Sequence, residues 1–311
     1  MKIAIMGAGS QGCFYGACLA KSGNDVTFIA RGANLKALQT NGVTLRSTTP
    51  GNVTLPVKAT NDPHDAVNVD LVMLCVKYYD LEEASRQMAP MIGENTLVIP
   101  VVNGIDVAEK VGQQIGVGHV LGGVSWVSTT LESPGVVNHG GNTRLIFGEL
   151  SGGESERANS LAEILREAGI QAEISPDIKM AIWDKFCFNA PANGAMALVR
   201  LPVGLLRKSP EAWAMVRRAL VEADEVAKAC GVRLPADHID TPLKFSSGAA
   251  PWVKSSMLQD LEAGRRLELE ALTGAIVRLG REKGVPTPVN ETIYAALKPY
   301  ENGAPVLPSP S

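Results

Sequence analysis

The chain has 311 residues, enough for two domains of ordinary size, and at 45% hydrophobic and 20% charged residues it has the material for a real core. Lys and Arg number 29 against 32 Asp and Glu, a formal net charge of −3, and aromatic residues are 5%. That balance argues against a mainly electrostatic nucleic-acid or membrane-surface binder and against base-stacking platforms. Cys13, Cys18, Cys75, Cys187 and Cys230 include no C-x-x-C pair, and His64, His119, His139 and His238 are scattered. Neither a disulfide framework nor a metal site is expected, and a reducing, cytoplasmic setting fits.

Residues 3–20 carry no charge, but Gly7, Gly9, Gly12, Gly16 and Gln11 interrupt them, so they read as strand, loop and helix and not as a targeting segment. Lys2–Met6 is a short buried strand, Phe14–Ser22 a helix with Gly23 past its end, and Asp25–Ala30 a second strand. Val69–Val76 is a nearly continuous apolar strand of the kind a parallel sheet covers on both faces; Leu81–Met88 is helical and Thr96–Val102 is another buried strand. The Val- and Ile-rich pieces between His119 and Gly148 read as antiparallel strands at the end of the sheet. Glu156–Ala168 is a helix and Gln171–Ile174 a last strand. Beyond residue 175 the periodicity turns helical: Pro210–Cys230 behind a Ser209 cap, Trp252–Glu262, Leu267–Lys283 and Asn290–Tyr300. The fold class is therefore α/β followed by all-α, with a dinucleotide-binding domain over 1–175, a helical substrate domain over 176–311 and a mobile tail over 302–311. The apolar helices, Leu267–Leu279 among them, either pair between two copies in a homodimer or complete the local core.

The first strand leads directly into Gly7-Ala8-Gly9-Ser10-Gln11-Gly12, which opens a helix. A G-x-G-x-x-G in that context is a dinucleotide fingerprint: Gly7 for the tight turn, Gly9 for close approach of the pyrophosphate, Gly12 for helix-on-strand packing. The second strand ends at Arg31, and no Asp or Glu lies between Asp25 and Asp62 to accept from a ribose 2′-hydroxyl. An arginine there offers a charged fork to a 2′-phosphate, so NADPH is the expected cofactor. Lys77 and Asn103 follow the ends of two central strands, where ligands of open α/β sheets bind. Lys77 would serve cofactor or substrate, and Asn103 the nicotinamide ribose or the substrate. Lys185, Asn189 and Asn193, four apart, share one face if their apolar segment is helical, and Pro191 should kink it. Such a polar stripe either pairs internally or lines a ligand cleft.

The layout resembles the ketopantoate reductase family (2-dehydropantoate 2-reductases). The matching stretches are GAGSQG at 7–12, ARG at 30–32, VK at 76–77, NG at 103–104, WDKFCFN at 183–189, SSMLQDLEAGRRLELE at 255–270 and GVPTP at 284–288, spread from residue 1 to about 300. The resemblance implies a Rossmann-type domain followed by a 6-phosphogluconate-dehydrogenase-like helical domain, and NADPH-dependent reduction of a 2-keto acid, ketopantoate to pantoate, on the way to coenzyme A. It implies Lys185 as catalytic acid, with Asn189, Asn193 and Ser256 binding the keto acid. Glu268 would stand near cofactor and substrate, and Arg31, Lys77 and Asn103 on the NADPH side. Hydride arriving at a ketone carbon leaves charge on oxygen, which an ammonium stabilises and protonates. Burial would lower a lysine pKa from its ordinary ~10.4, and Glu268 would oppose that. The chain departs from the family pattern where Gly194 replaces a proline, where Val203 stands near a usual asparagine and where Leu267 replaces a threonine. A related dehydrogenase of another 2-keto or 3-hydroxy acid is the alternative within enzymes, and an NADPH-sensing regulator is the alternative outside them.

Overall fold

The computed structural model describes residues 1–241, 243 and 250–305. The chain forms two compact units: Met1–Val102 with Asp106–Ala181, and Asn103–Ile105 with Ile182–Ser311.

In the first unit, strands β1 (Lys2–Met6), β2 (Asp25–Ile29), β5 (Lys58–Thr60), β6 (Val69–Leu74) and β7 (Ile92–Pro100) make one sheet, ordered β5-β2-β1-β6-β7. All its pairings are parallel. The central strands are buried along nearly their whole length because helices cover the sheet, as their unbroken apolar runs require. Helices α1 (Ser10–Lys21), α2 (Gly32–Asn41), α3 (Leu81–Gln87), α4 (Val107–Ile115) and α5 (Glu156–Glu167) belong to this unit. α1 packs closely on the sheet: a Cβ at Gly12 would overlap the Gly7 carbonyl oxygen, and one at Gly16 would overlap the Phe28 ring. The fully buried Tyr15 hydroxyl shares a 2.7 Å hydrogen bond with Ser125 Oγ.

The strands expected at the end of this sheet form two separate mixed sheets instead. β3 (Val43–Ser47) and β4 (Val53–Leu55) join β9 (Thr129–Ser133) and β10 (Val136–His139) in the order β4-β3-β10-β9. β8 (Leu121–Ser125), β11 (Arg144–Glu149) and β12 (Gln171–Ile174) make the other, ordered β12-β11-β8. β10 runs parallel to β3 and β11 parallel to β12, so each hairpin-like strand also takes a partner distant in the chain. Local alternation shows a strand but does not say which open edge it joins.

The second unit is helical: α6 (Ile178–Val199, of which it holds Ile182 onward), α7 (Val203–Lys208), α8 (Pro210–Ala229), α9 (Ser256–Glu262), α10 (Thr273–Lys283) and α11 (Pro288–Leu297). Trp183, Phe186, Leu220, Met257, Ile276 and Ile293 are among its core residues. α8 starts as its sequence indicates, with Ser209 Oγ accepting from Ala212 N at 3.3 Å and Pro210 in the first turn. α6 is not interrupted at Pro191.

Two helix expectations need correction. The helix expected from Trp252 starts at Ser256, where Ser255 Oγ caps it by accepting from Leu258 N at 3.3 Å. The helix expected from Leu267 starts at Thr273; before it the chain is turned, with Leu267 N donating to Glu301 O at 2.9 Å and Gly274 N to Leu269 O at 2.8 Å. Leu267, Leu269 and Leu272 are buried, so the turn mimics an apolar helix face in sequence. That apolar side, by sequence a candidate pairing face, is packed in the unit's own core. Of the expected mobile tail, residues 306–311 lie outside the described residues, while Gly303 N donates to Tyr300 O at 3.0 Å. Among the described residues no helix is long and apolar enough to cross a membrane.

Gly12→Ala should cost about 1–3 kcal/mol, because the added methyl meets backbone that has no room to yield. Gly9→Ala, whose Cβ would meet nothing within 4 Å, should leave stability within about 0.5 kcal/mol of the wild type. Urea unfolding of both variants measures the contrast.

Candidate active site

In the first unit the glycine loop lies between the ends of β2 and β6. Gly7 N donates to Ile29 O at 3.1 Å, and Cys75 N to Met6 O at 2.8 Å. Gly7 has φ +97°, and a Cβ there would come within 2.8 Å of Val76 Cγ1, so the turn requires glycine. Gly9 is the N-cap of α1; no side chain caps that helix and its first turn holds no acid. With open space beside Gly9 and the helix N–H groups directed at it, the loop fits a pyrophosphate. Ala8 is buried, Ser10 and Gln11 are half-buried, and the Ala8 carbonyl accepts from Asn34 Nδ2 and, at 3.3 Å, from Cys13 Sγ. Asn34 Oδ1 accepts from Gly135 N at 2.6 Å, so this side chain pins the loop from outside. Nothing in the local pattern of α2 marks it.

Arg31 is exposed at the N-cap of α2, just past β2. Its guanidinium donates to Gln87 Oε1 at 2.7 Å, and Gln87 Nε2 donates to Glu83 Oε1 at 2.6 Å. Lys77 is half-buried at the N-cap of a short 3-10 turn, Tyr78–Asp80, that follows β6. The adjoining Tyr78 hydroxyl donates to Asp106 at 2.8 Å and accepts from Lys110 Nζ at 2.6 Å. Gln87 and Tyr78, both unmarked by sequence reasoning, thus hold the segments on which Arg31 and Lys77 stand.

The second unit joins the remaining expected residues in one hydrogen-bonded chain. α6 brings Lys185, Asn189 and Asn193 onto one face, as the four-residue spacing predicts. Asn103 Oδ1 accepts from Lys185 Nζ at 3.2 Å and from Asn189 Nδ2 at 3.4 Å. Asn103 Nδ2 donates to Glu268 Oε2 at 3.5 Å. At the other end, Asn193 Oδ1 accepts from Ser256 Oγ and from Met257 N, both at 3.1 Å. Lys185 is half-buried and Glu268 buried. Burial pushes the Lys185 ammonium down to about 8, and the Glu268 carboxylate opposes the shift. The arrangement can hold an anionic carbonyl compound and deliver a proton near neutral pH.

Two family models match the chain: "Ketopantoate reductase PanE/ApbA" over residues 3–152 and "Ketopantoate reductase PanE/ApbA C terminal" over residues 177–301. The chain belongs to the ketopantoate reductase family. A 2-dehydropantoate 2-reductase of Mesorhizobium japonicum is 34% identical, with 96% of this chain and 97% of the relative covered. One from Archaeoglobus fulgidus is also 34% identical, over 97% and 98% of the two chains. The crystal structure of 2-dehydropantoate 2-reductase from Geobacter metallireducens superposes with a TM-score of 0.90 at 32% identity, covering 96% of this chain and 99% of that one. The ternary structure of a D-mandelate dehydrogenase with NADH and anilino(oxo)acetate superposes at 0.89 with 27% identity, covering 97% and 98%. Like its family, this ketopantoate-reductase homologue is an oxidoreductase acting on CH–OH groups, with the parallel-sheet domain and helical domain of those structures.

The positions expected to depart from the family pattern are buried. A Cβ at Gly194 would stand 2.7 Å from both Ile293 Cγ2 and Thr273 Oγ1, so the residue after Asn193 is fixed by core packing. Val203 is buried at the start of α7 with its N–H on Val253 O at 2.9 Å, and Leu267 is a core residue.

Because Glu268 is the group that holds the Lys185 pKa up, Glu268→Gln should lower it further below about 8. Direct NMR titration of the Lys185 ammonium in both proteins measures the shift.

Proposed function

We propose that the protein catalyses the NADPH-dependent reduction of ketopantoate to pantoate, a step toward coenzyme A, with Lys185 as the acid. The observation that carries this reading is the Lys185 ammonium, lowered to about 8 and held on Asn103 beside a row of amide groups. NADPH, when bound, supplies the hydride. The residues of this chain do the rest. The backbone of Gly7, Ala8, Gly9, Ser10, Gln11 and Gly12 and the uncapped start of α1 receive the pyrophosphate. Arg31 meets the 2′-phosphate and Lys77 adds positive charge on the cofactor side, to which Asn103 and Glu268 also belong. Lys185 Nζ, with one N–H on Asn103 Oδ1, turns a remaining N–H to the ketone oxygen and protonates it as charge develops. Asn189 has an N–H left after its bond to Asn103, available to the keto acid. Ser256 Oγ directs its hydrogen to Asn193 Oδ1, which leaves its lone pairs to accept from the hydroxyl of ketopantoate.

A second reading is reduction of a bulkier 2-keto acid without that hydroxyl. It is favoured by the likeness to D-mandelate dehydrogenase. Steady-state rates with ketopantoate and with phenylglyoxylate, each with NADPH and NADH, separate the two. Preference for ketopantoate with NADPH is expected, and Arg31→Ala should erase the NADPH preference while sparing NADH turnover. A wild type that prefers phenylglyoxylate overturns the first reading.

The acid role fixes the sign of the pH dependence. Reduction needs the protonated amine, so kcat/KM should fall as pH rises through about 8. Lys185→Ala should lower kcat by roughly 10²–10⁴ while NADPH still binds. Turnover within a few-fold of the wild type rules the acid role out.

A further inference from the structure

We infer that Asn193 is a positioning residue that binds no substrate, and that it sets the direction in which every amide between it and Lys185 faces. The inference rests on the reading of Lys185 as the acid and deepens it.

A side-chain amide has two N–H donors and two acceptor sites on oxygen. Asn193, 4% exposed, has all four engaged within the protein. Its Nδ2 donates to Asn189 O and to Asn189 Oδ1, both at 2.8 Å. Its Oδ1 accepts from Met257 N and Ser256 Oγ, both at 3.1 Å. Nothing is left over for a keto acid. The orientation is also not interchangeable. A backbone N–H only donates and a backbone carbonyl only accepts, so Met257 N requires oxygen on one side of Asn193 and Asn189 O requires nitrogen on the other.

The direction then passes along the chain. With Asn193 Nδ2 on Asn189 Oδ1, Asn189 must turn its Nδ2 outward, where it donates to Asn103 Oδ1. That bond in turn keeps Asn103 Oδ1 toward Lys185 Nζ and Asn103 Nδ2 toward Glu268. Reversing Asn103 would set its N–H groups against an ammonium and its oxygen against a carboxylate. The backbone N–H at the start of α9 is thus the fixed reference for the acceptor that Lys185 uses. Four-residue spacing marks Asn193 as a partner of Asn189; the saturation of its hydrogen bonds is visible only in three dimensions.

The test compares Asn193→Ala and Asn193→Leu with the wild type; leucine keeps the branched outline and heavy-atom count without the hydrogen bonds, so an effect shared by both variants does not come from the void that alanine leaves. Both variants should lower kcat at least tenfold, change KM for ketopantoate less than threefold, and move the falling limb of the pH profile to lower pH as Lys185 loses its directed acceptor. A tenfold or larger rise in KM with kcat and pH profile unchanged makes Asn193 a substrate ligand and overturns the inference. A loss of thermal stability with no change in kcat, KM or pH profile reduces it to a structural residue and overturns the inference equally. NMR titration of the Lys185 ammonium in the variants reads the relay without turnover, so it remains decisive if Lys185→Ala shows that the acid role itself is wrong. The wild type alone supplies a measurement should neither variant fold: on saturation with pantoate the Asn189 side-chain amide signals should move and those of Asn193 should not. Movement of the Asn193 signals with a direct contact to pantoate refutes the proposal.

Discussion

An ammonium group that has given up much of its water keeps its charge only where an acceptor is aimed at it and an anion stands near. In this protein Asn103 Oδ1 is that acceptor and Glu268 that anion. Desolvation still dominates, which brings the lysine from the range of a surface amine to one where it can hold or release a proton at physiological pH. The second unit can be understood from this requirement. α6 must continue past Pro191 to keep Lys185, Asn189 and Asn193 on one face, the turn before α10 must bring Glu268 to Asn103, and the start of α9 must meet Asn193.

The parts of the molecule legible in the sequence are those whose physics is local. A glycine triad between a strand and a helix can be read because each glycine answers a steric demand within a dozen residues. The polar row on α6 can be read because helix geometry converts spacing into direction. The features that sequence does not reveal depend on contacts across long stretches of chain. The pairing of β10 with β3, and of β11 with β12, is decided by which edges remain open. The turn over residues 267–272 reads as helical because its buried leucines imitate an amphipathic stripe, and its bond to Glu301 lies too far along the chain to be read locally. Asn34, Gln87 and Tyr78 are half-buried positions that no local pattern marks, and only the fold brings them to the glycine loop, Arg31 and the segment after β6.

The departures from the family pattern, taken from sequence alone, suggest a changed substrate side. Two of them sit in packed surroundings: a Cβ at Gly194 would crowd Ile293 and Thr273, and Leu267 is a residue of the helical core. A substitution beside a functional residue is therefore not by itself a change of specificity; its side chain must also point at the ligand. The polar chain from Met257 N to Lys185 is complete despite them.

Asp106 illustrates a related opposition. It occupies the N-cap of α4, where an aspartate ordinarily accepts from the first-turn N–H groups and contributes about 1 kcal/mol. Here its carboxylate is turned to the Tyr78 hydroxyl, and the helix begins without a side-chain cap. A population of molecules in which Asp106 returned to its own helix would have a firmer α4 and a looser segment after β6. The order of the segment bearing Lys77 and the start of the neighbouring helix therefore draw on the same carboxylate, which also pairs with Lys110 one turn along α4.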